Sequence, residues 1–140
     1  MSHASSPPQH EGGCLCGAIR YRVAGAPSGA NVCYCTQCLR QTGAAMPAFV
    51  SYPTDRFAML AGAPARYRSS SFATREFCAT CGSSLFWRRD GADELDVFLG
   101  TLDAPARMPP PSDQQWSQHR APWVPAVPGI PDYPGKRGAS

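Results

Sequence analysis

Every cysteine of this 140-residue chain falls in one of three short segments: Cys14-Leu15-Cys16, Cys33-Tyr34-Cys35-Thr36-Gln37-Cys38 and Cys78-Ala79-Thr80-Cys81. Thiolates at such spacings converge on one tetrahedral ion, and zinc is the ion that all-sulfur sets of this kind hold. The seven cysteines divide as four plus three. Four thiolates complete a closed structural site, whereas three leave a coordination position for water or a ligand. Disulfides are the competing account, but an odd number leaves one cysteine unpaired. The polar, proline-containing N-terminus also lacks the apolar core of a secretory signal. The expectation is a cytoplasmic protein with reduced, metal-bound cysteines.

The trio Cys33, Cys35 and Cys38 spans six residues and forms the simplest open site. Cys14, Cys16, Cys78 and Cys81 then close a second one. A zinc ribbon of Cys35, Cys38, Cys78 and Cys81 is the alternative, and it strands three cysteines. Residues i and i+2 of a strand face the same way, so Cys14 with Cys16, and Cys33 with Cys35, are expected to present paired sulfurs from strands. Cys78-x-x-Cys81 followed by Gly82 reads instead as a tight knuckle, where glycine accepts a positive φ and amides point at the thiolates.

The elements that must position these residues are short. Ala18 to Val23 alternates, with Ile19, Tyr21 and Val23 on one face and two arginines on the other, as a half-buried strand does. Asn31 to Cys35 reads as extended, and Thr36 to Thr42 as one or two helical turns ended by Gly43. Further strands are expected at 48–52, 57–60, 65–68, 75–77, 84–88 and 95–99, separated by glycine and proline. Many short strands and little helix give a mainly β fold.

From Pro105 onward the chain carries nine of its fifteen prolines, interleaved with Trp116, Trp123, Val124, Val127, Ile130 and Tyr133. This stretch can be neither helix nor central strand. Its apolar content implies an extended arm over 104–133, packed on the body of one domain spanning 12–133. Residues 1–11 read as a disordered tail and 134–140 as a flexible one.

Apolar residues make up 43% of the chain, a globular composition, and no apolar run is long enough to cross a membrane. The net charge of +3 comes from one lysine and scattered arginines in runs of no more than two. That distribution gives no concentrated basic face of the sort nucleic acid requires, and suits a small anionic ligand better.

The ordered motifs resemble one family. They are Gly13-Cys14-Leu15-Cys16-Gly17-Ala18-Ile19-Arg20-Tyr21, the trio segment with Gly43, Phe77-Cys78-Ala79-Thr80-Cys81-Gly82-Ser83 and Gly100-Thr101-Leu102-Asp103. Arg120-Ala121-Pro122-Trp123 and Gly129-Ile130-Pro131-Asp132-Tyr133-Pro134 close the series. The chain resembles the glutathione-dependent formaldehyde-activating enzymes, a family that includes centromere protein V. The resemblance implies an Mss4-like β-tent of small antiparallel sheets around two zinc ions. It also implies a structural zinc on Cys14, Cys16, Cys78 and Cys81, with a catalytic or labile zinc on Cys33, Cys35 and Cys38. The activity implied is a carbon–sulfur lyase acting on S-(hydroxymethyl)glutathione, with glutathione as co-substrate. One position departs from the family: Tyr34 stands where histidine is usual.

A zinc ion with three thiolates keeps net charge −1 and can still accept a sulfur and lower its pKa. The adduct's hydroxyl needs a proton carrier, for which Tyr34, His119 and water are the candidates. A neighbour between two strand ligands points away from them, which gives Tyr34 a packing role. The same cysteines would also suit a non-enzymatic zinc-stabilised module for protein or nucleic acid, or a zinc or thiol redox sensor.

Overall fold

The computed structural model describes residues 7–138. Ten strands and one α-helix follow in the order β1 (Gln9–Gly13), β2 (Arg20–Ala24), β3 (Gly29–Cys33), α1 (Thr36–Thr42), β4 (Ala48–Pro53), β5 (Phe57–Ala61), β6 (Ala65–Arg68), β7 (Ala73–Phe77), β8 (Ser84–Arg89), β9 (Glu94–Phe98) and β10 (Asp113–Gln115). They build a three-stranded sheet, β1-β2-β5, and a seven-stranded sheet, β10-β3-β4-β9-β8-β7-β6. Every pairing is antiparallel except β10 on β3. The mainly β reading is the fold. None of the described helices is long and apolar enough to cross a membrane.

Alternation gives the core. Ile19, Tyr21 and Val23 are buried, and they meet Val50, Tyr52, Leu85, Phe86, Leu95 and Val97 from the larger sheet. Tyr21 packs edge-on to Phe86 at 5.0 Å between ring centroids and stacks on Phe57 at 5.9 Å. The Tyr21 hydroxyl, buried at its end, finds Thr101 Oγ1 at 2.7 Å, as a phenol in a core requires.

The termini depart from the sequence reading. Gln9, His10 and Glu11, expected in a disordered tail, pair with Ala24, Val23 and Arg22 as part of β1. The exposed edge of β2 needs backbone partners, and a polar segment supplies them as well as an apolar one. Of the rest of that segment, Pro8 accepts from Gly25 N–H at 2.7 Å, and residues 1–6 lie outside the described residues. In the segment expected to be a flexible tail, Gly135 accepts from Trp116 N–H at 2.9 Å and Arg137 N–H donates to Gln115 Oε1 at 3.0 Å.

The proline-rich segment is hydrogen-bonded to β10 through one side chain and one backbone. Gln114, fully buried, donates from Nε2 to the Val127 carbonyl at 2.9 Å and accepts from Val127 N–H at 3.0 Å. Its backbone N–H donates to Pro131 and its carbonyl accepts from Tyr133. A glutamine amide copies a strand edge and so pairs with backbone that proline has deprived of donors.

Candidate metal centres

The seven thiols gather into two groups: Cys14, Cys16, Cys78 and Cys81, and Cys33, Cys35 and Cys38. Within each group the sulfurs lie within 4.8 Å of one another. The ribbon alternative, Cys35 and Cys38 with Cys78 and Cys81, is not formed.

The four-cysteine group sits where the sheets meet. Cys14 follows β1 of the smaller sheet, and Cys78 follows β7 of the larger one. Cys14 and Cys16 are not on a strand, contrary to the spacing argument. A strand would hold their sulfurs about 6–7 Å apart, too far to share one ion. The chain turns instead: Gly17 N–H donates to the carbonyl of Cys14 at 3.1 Å, and Gly82 N–H donates to the carbonyl of Cys78, in a turn one residue longer, at 2.8 Å. Both glycines hold φ near +80°, at 82° and 79°, which an L side chain would strain against. The result is two knuckles.

The sulfur geometry fits zinc. A tetrahedral ion with Zn–S bonds of about 2.3 Å sets its sulfurs about 3.8 Å apart. Cys14 and Cys16 are separated by 3.6 Å, and Cys16 and Cys78 by 3.8 Å. Backbone amides turn toward the sulfurs, from Ile19 to Cys14 at 3.2 Å and from Cys81 to Cys78 at 3.5 Å. Ser83 ties the knuckles together: its Oγ accepts from Leu15 N–H at 2.9 Å and lies 3.2 Å from Cys81 Sγ. The Ser83 hydroxyl, helped by backbone amides, pulls the Cys81 thiol down to about 5.

The trio is built differently. Cys33 ends β3, Cys35 is the N-cap of α1, and Cys38 lies in its first turn. Cys35 Sγ accepts from Cys38 N–H at 3.3 Å, so one thiol serves both as helix cap and as donor atom. Cys33 and Cys38 are buried and Cys35 is half-buried, against Phe49 and Phe98. Hydrogen bonds from the Cys33 and Cys38 thiols, more than the nearby Arg75 charge, hold Cys35 far below the ordinary thiol range. Cys33 is driven far up by sharing that space with the other two. Three thiols in contact ionise together only around a cation, so the donor set fits a divalent metal.

Arg75 is the residue that spacing alone missed. It is 3% exposed on β7, donates from Nη2 to Cys38 Sγ at 3.4 Å and from Nη1 to Gln41 Oε1 at 3.3 Å. Its Nε has no hydrogen-bond partner. The only hint in the sequence is its i+2 relation to buried Ala73 on the same strand face.

The two candidate proton carriers lie apart. Tyr34 is fully buried on the opposite side of the chain from the trio, among Val32, Val124, Leu39 and Ala121. His119 is exposed and stacks on Trp116, with ring centroids 6.3 Å apart. Trp116 packs against the trio and holds φ at 59°, the one positive value outside glycine among the described residues. A strained backbone at that place fixes the indole against the cluster of Cys33, Cys38, Phe49 and Phe98.

An open groove of about 640 Å³ runs between the end of α1 and the Cys78–Ser84 knuckle. Gln41, Thr42, Ser83, Phe98 and Thr101 are among its walls, and Cys81 is the one cysteine on them. Phe98 lines the groove and also belongs to the cluster of Cys33 and Cys38, and among the described residues no aspartate, glutamate, lysine, arginine or histidine lines it.

An uncharacterized lyase of Schizosaccharomyces pombe is 33% identical over 82 residues, which are 57% of this chain and 58% of that protein. The aligned part thus spans somewhat over half the length of that relative. A crystal structure of a Rhodobacter sphaeroides protein superposes with a TM-score of 0.56 at 26% identity, covering 66% of this chain and 87% of that one. The family described as glutathione-dependent formaldehyde-activating enzyme matches residues 9–119, most of the chain and both cysteine groups, and the protein belongs to it.

Proposed function

We propose that this protein is a zinc-dependent carbon–sulfur lyase acting on glutathione–aldehyde adducts of the S-(hydroxymethyl)glutathione type. The observation that carries the reading is the second cysteine group, which has three donors and no fourth Cys, His, Asp or Glu ligand among the described residues. A closed site needs four, and the other group has four. Family membership and a relative named a lyase support the same class of reaction. The fold is read as the Mss4-like tent, with 104–133 as its arm, on one domain spanning 12–133. Free thiols throughout suit a reducing compartment, which we take to be the cytoplasm.

In the cleavage direction the carbon–sulfur bond of the hemithioacetal breaks, and its electron pair leaves with sulfur. The hydroxyl gives up its proton as the carbon–oxygen double bond forms, and the sulfur later takes a proton to give free thiol. Zinc held by Cys33, Cys35 and Cys38 would supply a Lewis acid that stabilises the departing sulfur as thiolate. The chain's own part is to hold the three sulfurs together, with the charge of Arg75 beside them and Trp116 packed against their cluster. Tyr34 is assigned to packing, since its ring is sealed from any substrate. Water or His119, which reaches solvent beside Trp116, carries the hydroxyl proton.

The test is exchange NMR on an equilibrium mixture of glutathione and formaldehyde, reading the rate at which the adduct's carbon–sulfur bond is made and broken. Acceleration by the native protein, abolished by Cys35→Ser, is the expected result. No acceleration at saturating adduct by protein carrying two zinc ions would sink the lyase reading. Saturable binding of a macromolecule would then favour a zinc-stabilised binding module.

A further inference from the structure

A buried guanidinium cannot shed its proton, so it requires an anion. Arg75 is 3% exposed, yet no carboxylate of the described residues forms an ion pair with it. Its neighbour Glu76 is equally buried but belongs to the opposite face, where it takes Arg66 at 3.1 Å and Arg88 at 3.0 Å. The Arg75 side chain touches an amide oxygen, which is neutral, and a sulfur, Cys38 Sγ. Of the two groups that it hydrogen-bonds, only the sulfur can carry a negative charge.

We propose that Arg75 is a positioning residue of the trio, the fixed counter-charge that allows three thiolates and one divalent ion to share a buried space. Three thiolates around a divalent ion leave one net negative charge, and one guanidinium balances it. The hydrogen bond to Cys38 also fixes which way that sulfur faces, as partners beyond the ligands do at metal sites. Gln41 holds the other arm of the fork, and the Gln41 carbonyl accepts from Ser84 Oγ at 3.0 Å. The guanidinium is therefore anchored on both sides before any ion arrives. The four-cysteine group has no such cation among its hydrogen-bond donors; its sulfurs receive backbone amides and Ser83 instead. Arg75 should act on one site and leave the other alone.

This inference rests on the reading of the trio as a metal site made above. The test is the release of zinc to a chromophoric chelator, with native mass spectrometry to count the ions. Cys35→Ser identifies which release phase belongs to the trio. Arg75→Met keeps the volume and deletes the charge; it is expected to speed that phase by about 10–100-fold and leave the other unchanged. In cobalt-loaded protein the sulfur-to-metal charge-transfer band of the trio should shift as Cys38 loses its donor. Arg75→Lys, which keeps charge but not the fork, should fall between. Gln41→Ala, at a half-buried position with no risk to the core, should give a smaller acceleration of the same phase. Two ions in the native protein, with the trio phase unmoved in Arg75→Met and Gln41→Ala, would overturn the role of Arg75 and spare the lyase reading. A native protein that holds a single ion would remove both.

Discussion

Arg75 and Cys78 stand three residues apart, and each reaches a different cysteine group. Arg75 points from β7 to Cys38 of the trio, 3.4 Å away, while Cys78, just past the end of the strand, closes on Cys16 at 3.8 Å. One strand and the turn that follows it therefore reach both cysteine groups. The two groups nevertheless play unequal parts in holding the fold. The four-cysteine group joins residues 62 positions apart and links the two sheets, whereas the trio lies within six residues of one sheet and its helix.

That inequality predicts how cysteine variants behave. Cys78→Ser removes a ligand from the tie between sheets, and a structural zinc contributes folding energy outright. Thermal unfolding of zinc-loaded protein should fall by at least about 10 °C. Cys35→Ser deletes a ligand from a local group but keeps a side-chain acceptor at the helix cap, so the melting temperature should drop by under about 5 °C. Differential scanning calorimetry measures both. Equal losses would mean that the trio, too, is structural.

The chain announced its chemistry more openly than its geometry. Cysteine spacing marked both groups of thiols that the fold brings together, because a metal demands particular atoms at particular separations. Alternation at Ile19, Tyr21 and Val23 marked the core face of β2. The conformation of Cys14-Leu15-Cys16 was not legible in the same way. An x-spaced pair fits a strand or a turn equally well, and only the short sulfur separation chooses the turn. Arg75 was hidden for another reason. In sequence it is one arginine among twelve, and the sulfur that accepts its hydrogen bond lies 37 residues away. The strand at Gln9–Gly13 was missed because edge pairing uses backbone atoms, to which polar side chains give no clue.

Asp96 supplies a dependence on pH that does not involve the metal ligands. Burial pushes its carboxyl above the usual range, and the hydrogen bond from Ser51 Oγ at 2.5 Å offsets part of that rise. Glu94 pushes in the same direction as burial, while Arg137 and Arg75 oppose it. A carboxyl with a raised folded-state pKa contributes stability below its unfolded pKa of about 4, and that contribution is lost as pH rises through the folded value. Asp96→Asn stays uncharged and keeps an acceptor for Ser51. It should therefore gain stability relative to the native protein over the range above about pH 4. Paired thermal melts in excess zinc across that range read the difference, and a variant that loses ground as pH rises would contradict the burial argument.

Tyr34 separates packing from proton transfer at the position where the family usually has histidine. Its ring is fully buried, the Arg120 guanidinium lies over it at 5.3 Å, and its hydroxyl makes no well-formed hydrogen bond. A buried hydroxyl without a partner gains little from being there, because it has lost water and found nothing in exchange. Removing it should cost almost nothing: Tyr34→Phe is expected to change stability by less than about 0.5 kcal/mol. Tyr34→Ala, by contrast, opens a cavity between Val32 and Val124 and should cost about 3–5 kcal/mol. If the phenol moves no proton, Tyr34→Phe leaves the rate of adduct cleavage and its pH profile where they were. A drop of 100-fold or more in that rate, with stability intact, would return Tyr34 to the chemistry. It would also require the ring to leave its buried place during turnover, which hydrogen exchange at Tyr34 N–H, bonded to the Gln115 carbonyl at 3.0 Å, would report.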